Sequence, residues 1–537
     1  MKKNIIKLLL CSLAILSLDS CRDALDIEQE GLLSNEAIFR STDDMNRYLQ
    51  GDVYSRLSIT SQIGFTSQFT DEVGIGSSFT GFGVGVHQFY VDISTDEASA
   101  IWLSNYAVIN RVVRLIEGAK LVPVPTDDTG LRNYNAVIAQ ARALRAFSYL
   151  QLLSYYSTNM KDPNALGVII LDHIPTTDEQ LPRSTNREVF DVIESDLNYA
   201  ESNIIENSSQ YYVSKSFINA VKARFYLYTG NHALAKVNAE NAISASGLSL
   251  TIATPVPTQA VAFRGPWHRN LNANSTTTSP YVKMLQDTER GEVIFALSRP
   301  VAGAWENISN LYNINSSTKA GSTYDMGRNL FNILRDRPGD VRKYAYIDPT
   351  VTFSKLNAAG EPVNNSADEY SNDYLTDPNY RANDVLPIDK YPGKSTTVLR
   401  NDVKVFRVAE MYLILAECAV AENRLSDAAN YVKMIRDARS FTGVTTAPSY
   451  TSVADAWAGV LQERRVELAF EGHRYIDLKR IGNLANRAID RSIVDDINKE
   501  NPLTIANDDF RFTLPIPRNE LQANQVIQQN PGYKATP

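Results

Sequence analysis

DVKVFRVAEMYLILAECAVAENRLSDAANYVKMIRDAR, residues 402–439, and DAWAGVLQERRVELAFEGHRYIDLKRIG, residues 455–482, decide how this chain folds. In the first stretch Val408, Tyr412, Leu415 and Ala419 recur at the i, i+4, i+7, i+11 spacing of one helix face. Leu425, Ala428, Val432 and Ile435 repeat the pattern after a break of a few residues, Glu422-Asn423-Arg424. A connection that short makes the two helices antiparallel neighbours. The second stretch predicts a helix over Leu461–Phe470, with Glu463, Glu467 and Glu471 four apart and Arg464 and Arg465 beside them. The product is a scaffold of helix pairs.

The same pattern extends outward. Trp102, Tyr106, Ile109, Val113 and Ile116 form a stripe that Gly118 is expected to stop. Its partner carries Ala139, Ala143, Ala146, Leu150 and Leu153, small enough in part for close helix approach. A further helix opens on a cap at Ser184 or Thr185 with Glu188. It pairs with the stripe Ile218, Val221, Phe225 and Tyr228, which ends at Gly230, and another helix runs from Asn231 to about Ser246. Helix pairs at about 101–158, 187–246, 402–440 and 455–481 give a mostly α, tetratricopeptide-like array without a strict 34-residue period. Residues 31–60 read as a helix-forming entry with Phe39, Met45, Tyr48 and Leu49 facing a core. Thr60–Ile93, rich in Gly, Ser and Thr, reads as an aromatic-studded surface loop. From 248 to 400 the helical text lapses into a large irregular, loop-rich region with one strand expected at Glu292–Leu297.

Composition narrows the function. The 537 residues carry a formal net charge of −8, which disfavours nucleic acid, since that partner needs a basic face. Cys11, Cys21 and Cys418 are too few for a disulfide framework or a cysteine-rich metal site. Lys2, Lys3 and Lys7 precede the apolar run Leu8–Leu18, shaped like a signal-peptide core and too short to span a bilayer. The run ends Leu18-Asp19-Ser20-Cys21, which resembles a bacterial lipobox. Residues 1–20 are therefore expected to be a lipoprotein signal peptide, with Cys21 acylated and 21–537 one domain. An ordinary signal peptide with an incidental cysteine is the alternative.

Catalytic constellations are scarce. The five histidines form no H-x-x-x-H pair, and neither a G-x-S-x-G elbow nor a P-loop occurs. Cys418 lies on an apolar stripe and reads as a buried small hydrophobe. Glu463, Glu467 and Glu471 could pass for a hydrolase carboxylate pair, but arginines alongside favour structural ion pairs. No cofactor and no metal is called for.

Several segments resemble one family. RVAEMYLILAECAV (407–420) and QERRVELAFEGHRYIDLKRIG (462–482) are similar to the SusD/RagB family of Bacteroidetes nutrient-uptake lipoproteins. So are AQARALRAFSYLQLLSYY (139–156), RSTNREVFDVIESDLNYAE (183–201), GEVIFAL (291–297), GDVRKY (339–344), DKYPG (389–393) and FTLPIPRNELQANQVIQQNPGY (512–533), in the family's order. The resemblance implies a non-enzymatic outer-membrane lipoprotein, exposed at the cell surface. It would capture a glycan and pass it to a SusC-like TonB-dependent transporter. A peptide-binding RagB-like protein is the alternative within the binding class, and a secreted glycan hydrolase the alternative outside it.

Sugars are held by stacking on flat rings while polar groups take their hydroxyls. Trp267 and Trp305, with Tyr281, Tyr312 and Tyr324, lie in the loop-rich region and form the expected ligand site. Each ring alone is equally well explained as pinning its own backbone.

Overall fold

Helices form where the sequence supplies both an apolar period and a cap. The computed structural model describes residues 38–534 except 77–83, 177, 255–278, 301–307, 309–311, 313–322, 338, 348–385, 387, 395–396, 399 and 499. Ser41 opens α1, Thr42–Tyr48, by accepting from Asp44 N. The chain tightens through Leu49–Val53 and Tyr54–Arg56 into α2, Thr60–Phe69, and β1, Val73–Ile75. α3, Asp96–Ala119, packs on α4, Asp128–Tyr156, whose cap is Asp127. Thr185 and Glu188 close a capping box on α5, Asn186–Asn203, which packs on α4. α6, Lys215–Tyr228, turns into α7, His232–Ser246, through Gly230 at φ 84°, a backbone region that glycine enters without strain.

Within 248–400 the described residues hold short elements. These are α8, Pro280–Leu285, β2, Val293–Leu297, β3, Tyr324–Met326, α9, Arg328–Arg335, and α10, Val341–Ala345. The small hairpin β4, Gly393–Lys394, and β5, Thr397–Val398, follows, then β6, Val403–Arg407. β1 pairs with β3, and β2 with β6, all antiparallel. The helices resume as α11, Val408–Ala421, α12, Leu425–Arg439, α13, Val453–Glu467, α14, Arg474–Ile481, and α15, Arg518–Ala523. α11 packs on α7, α12 and α13 and is buried almost all round. The fold is mostly helical and tetratricopeptide-like, as the periodicity predicts.

Four expectations change. The pair placed at 402–440 starts with a strand. Val403–Arg407 is buried throughout and pairs with Val293–Leu297, so an apolar run with no polar face serves as a buried strand. Thr60–Phe69 is a buried helix, not a surface loop, and two of its polar side chains find partners inside: Thr66 Oγ1 lies 3.2 Å from Tyr155 OH, and Ser67 Oγ donates to Glu72 at 3.0 Å. Gly118 does not stop α3. The Phe39 ring lies against it, and a Cβ there would meet Phe39 Cδ2 at 2.1 Å. α13 ends at Glu467, which leaves Glu471 in the turn that follows.

α2 is fastened to the far end of the chain. Arg474 donates to both oxygens of Asp71, each at 2.8 Å. Arg491 donates to the carbonyls of Gln68, Phe69 and Thr70 and so satisfies the open C-terminal end of α2.

Candidate functional site

Five of the dispersed motifs, at 291–297, 339–344, 389–393, 407–420 and 462–482, meet in a buried ion cluster. Arg407, the last residue of β6, donates Nη1 to Glu292 Oε1 at 2.6 Å and to Glu467 Oε1 at 2.8 Å. Its Nη2 and Nε take the two oxygens of Glu471 at 2.7 and 3.0 Å. Arg439 on α12 bridges Glu292 and Glu467. Arg342 on α10 joins Asp340, Glu463 and Glu467. Lys390 holds Glu471 at 2.5 Å and donates to the carbonyls of Glu467 and Ala469. All these side chains are buried.

Burial by itself raises a carboxyl pKa, but the adjacent cations outweigh it here. Arg342, Arg337 and Arg436 hold Glu463 well below the usual carboxylate range. Arg407 and Lys390 bring Glu471 down to about 2. Burial lowers Lys390 to about 8 against the pull of Glu471. A glycosidase needs one carboxyl protonated and one free to face substrate. These carboxylates are ionised, enclosed and committed to structure. The partners differ from those expected: Arg464 turns to Asp477 and Glu417, and Arg465 to Asp71 and Asp490. Side chains one residue apart on a helix point to different faces, so the three glutamates recruit cations from other elements.

The predicted ligand residues separate. Trp267 and Trp305 lie outside the described residues, as do residues 1–20 and Cys21. Tyr281, Tyr312 and Tyr324 are core residues with committed hydroxyls. Tyr281 OH lies 2.8 Å from Tyr346 OH, Tyr312 OH donates to Ser67 Oγ at 2.8 Å, and Tyr324 OH donates to Gln68 Oε1 at 3.1 Å. A loop-like composition does not report burial, and these rings present no open face for stacking. Cys418 is a buried free thiol, pushed up to about 12 by burial.

Among the described residues, clefts open on the helical body at two places that bear on binding. One, of about 490 Å³, lies between α13 and residues 486–490; Arg465, Arg474, Arg487 and Asp490 wall it above Leu461 and Ile489. Gln462 and Asn486 add amides. Guanidinium, carboxylate and amide groups over an apolar floor suit a polyhydroxylated ligand, although none of the described residues lining this cleft is aromatic. The second, of about 160 Å³, lies where α4, α6 and α14 meet. Sequence reading missed both, because their walls join residues that no local spacing links. The most exposed described rings are Tyr90 and Phe510, and Arg511 Nη1 donates to the Phe89 carbonyl between them.

Comparison with known proteins agrees with this architecture. The SusD family model matches residues 305–533, and a model described as starch-binding associating with outer membrane matches residues 51–227. SusD-like protein P38 of Formosa agariphila is 26% identical over 98% of each chain. A SusD superfamily protein from Bacteroides thetaiotaomicron superposes with a TM-score of 0.69 at 21% identity, covering 91% of this chain and 100% of that one. A SusD-like carbohydrate binding protein from Bacteroides vulgatus gives 0.61 at 19% identity, covering 93% and 98%. With family models matching residues 51–227 and 305–533, together more than half of the chain, and a relative similar over its full length, the chain belongs to the SusD/RagB family.

Proposed function

We propose that the protein is a non-enzymatic, lipid-anchored binding protein. It captures an oligo- or polysaccharide at the cell surface and hands it to a SusC-like TonB-dependent transporter in the outer membrane. The observation that carries this reading is the family match over 51–227, whose description joins starch binding to the outer membrane. The commitment of Glu463, Glu467 and Glu471 to ion pairs supports binding over hydrolysis.

The stacking rings are assigned to Trp267 and Trp305, because the three tyrosines of the expected site are packed inside. Loops on a rigid scaffold are where binding groups usually sit. Calorimetry of the purified protein against a panel of glycans and peptides tests the cargo. Trp267→Ala and Trp305→Ala should each weaken glycan binding by about 1–3 kcal/mol while leaving the circular-dichroism melt unchanged. Normal binding by both folded variants would remove these rings from the site. Heat from peptides alone would replace glycan by peptide, and turnover of any glycan would mean an enzyme.

Anchoring rests on Cys21 after its lipobox-like triplet. Among the described residues no helix is long and apolar enough to cross a membrane. Several acyl chains on one cysteine hold far more firmly than one. Cys21→Ala should move the protein from the membrane to the soluble fraction in cells lacking the transporter. Retention with the membrane there would rule out anchoring through this cysteine.

A further inference from the structure

The 160 Å³ cavity lies where the C-terminal end of α4, the turn after it, the end of α6 and one face of α14 come together. Lys479, Arg480 and Lys161 reach it, with Tyr228, Ile476 and Met160 as its apolar wall. Its charges do not balance. Arg480 donates to Glu417 at 3.0 Å and to Asp477 at 2.8 Å, and Arg464 pairs with the same two carboxylates. Two guanidiniums and two carboxylates make that group neutral.

Neither lysine lining the cavity forms an ion pair among the described residues. Lys479 Nζ donates to the carbonyls of Ser154 and Ser157 at 3.2 and 2.7 Å, and no carboxylate among the described residues pairs with it. Burial brings this ammonium down to about 7, with no opposing carboxylate to hold it up. Lys161 also lines the cavity, lowered first by burial and then by Arg480, with Glu417 pulling the other way. Its side chain bonds to no described residue, and its stem passes Gly230. His232, beside Lys161 and Arg480, is held down by burial and supplies no counter-charge. Lys479 is half-buried and Lys161 is exposed at the rim, so an anion entering the cavity would meet an ammonium on each side.

We propose that this cavity binds a compact oxyanion group, a sulfate, phosphate or carboxylate, between Lys161 and Lys479. Charge-assisted N–H to oxygen bonds are the strong ones, and both ammoniums have N–H groups to give. This proposal does not depend on the glycan-binding reading.

The test is calorimetric titration of the purified full chain with sodium sulfate, sodium phosphate and sodium glucuronate. Sodium chloride keeps ionic strength constant, and glucose is the neutral control. Saturable heat is expected from at least one oxyanion and none from glucose. Binding by glucuronate would point to a charge carried on a sugar, and binding by sulfate or phosphate alone to a free tetrahedral anion. Lys161→Gln should weaken binding about tenfold or more, the loss expected for one charged hydrogen bond. Its side chain bonds to no described residue, so this variant folds as the parent does. Lys479→Gln should abolish binding, and Lys120→Gln, which removes the same charge outside the cavity, should leave it unchanged. No saturable heat from any oxyanion, or equal affinity in the parent and Lys161→Gln, would overturn the proposal.

Discussion

Arg407→Ala should cost about 3–5 kcal/mol of folding stability, the range for removing one partner from a buried ion pair. Arg407 is the cation shared by Glu292, Glu467 and Glu471. Without it, three carboxylates face one another indoors with only Arg439, Arg342 and Lys390 to serve them. None of those cations can move to the vacated place without abandoning its own bonds. The loss is also geometric: Arg407 stands opposite Val293 in the β2–β6 pair, and its guanidinium reaches Glu471 in the turn after α13. Urea denaturation reads the effect. Lys120→Ala, at an exposed pair with Glu117, should cost less than about 1 kcal/mol in the same assay. A comparable small loss for Arg407→Ala would show that the carboxylates neutralise cheaply and that the cluster is not a stability element.

Stability should also fall steeply in acid. Glu471 has its pKa depressed from 4.5 to about 2. A depressed carboxyl contributes stability above its unfolded value and loses it as pH drops through the folded one. The window for Glu471 is therefore pH 4.5 to 2, and the loss is about 3 kcal/mol. Glu463 is lowered further still and acts in the same direction. His473, which burial brings down to about 4 from 6.5, adds loss with the same sign between pH 6.5 and 4. Glu72 opposes them. Burial raises it to about 7, so its contribution is present below 4.5 and fades as pH rises through 7. The carboxylates of the cluster outnumber it, and the urea midpoint should drop between pH 5 and 3. Glu471→Gln should lower stability at pH 7 and flatten the acid limb. A midpoint that stays level to pH 3 would mean the glutamates are not held ionised by their arginines.

The sequence shows some of this far better than the rest. Long helices were legible because each keeps one apolar face: the 101–158 expectation lands on α3 and α4, and the 187–246 expectation on α5 to α7. α2 was hidden because burial on every side erases periodicity, and its Gln62, Thr66 and Ser67 read as loop residues. β6 was hidden because only five residues precede a strong helix signal. The ion pairing of the three glutamates was legible, but their partners were not. Arg342, Arg407 and Arg439 stand 121, 60 and 28 residues from the glutamates they hold, and no local spacing encodes that. The tyrosines show the same limit from the other side: Tyr281, Tyr312 and Tyr324 sit in loop-like text, yet distant segments enclose them.

The clamp on α2 sets a schedule for the newborn chain. Asp71 receives Arg474 from 403 residues downstream, and the carbonyl of Thr70 receives Arg491 from 421 residues downstream. At a synthesis rate of roughly 5–20 residues per second, those guanidiniums emerge about 20–80 s after their acceptors. Until then α2 lacks both its counter-charge and the donors for its last carbonyls, so its buried polar side chains have no reason to leave water. The amino-terminal segment must therefore wait, unfolded, for the carboxy-terminal one. A ribosome-bound fragment that ends before Arg474 should stay open to protease around residues 60–75, and protection should arrive only when the chain extends past Arg491.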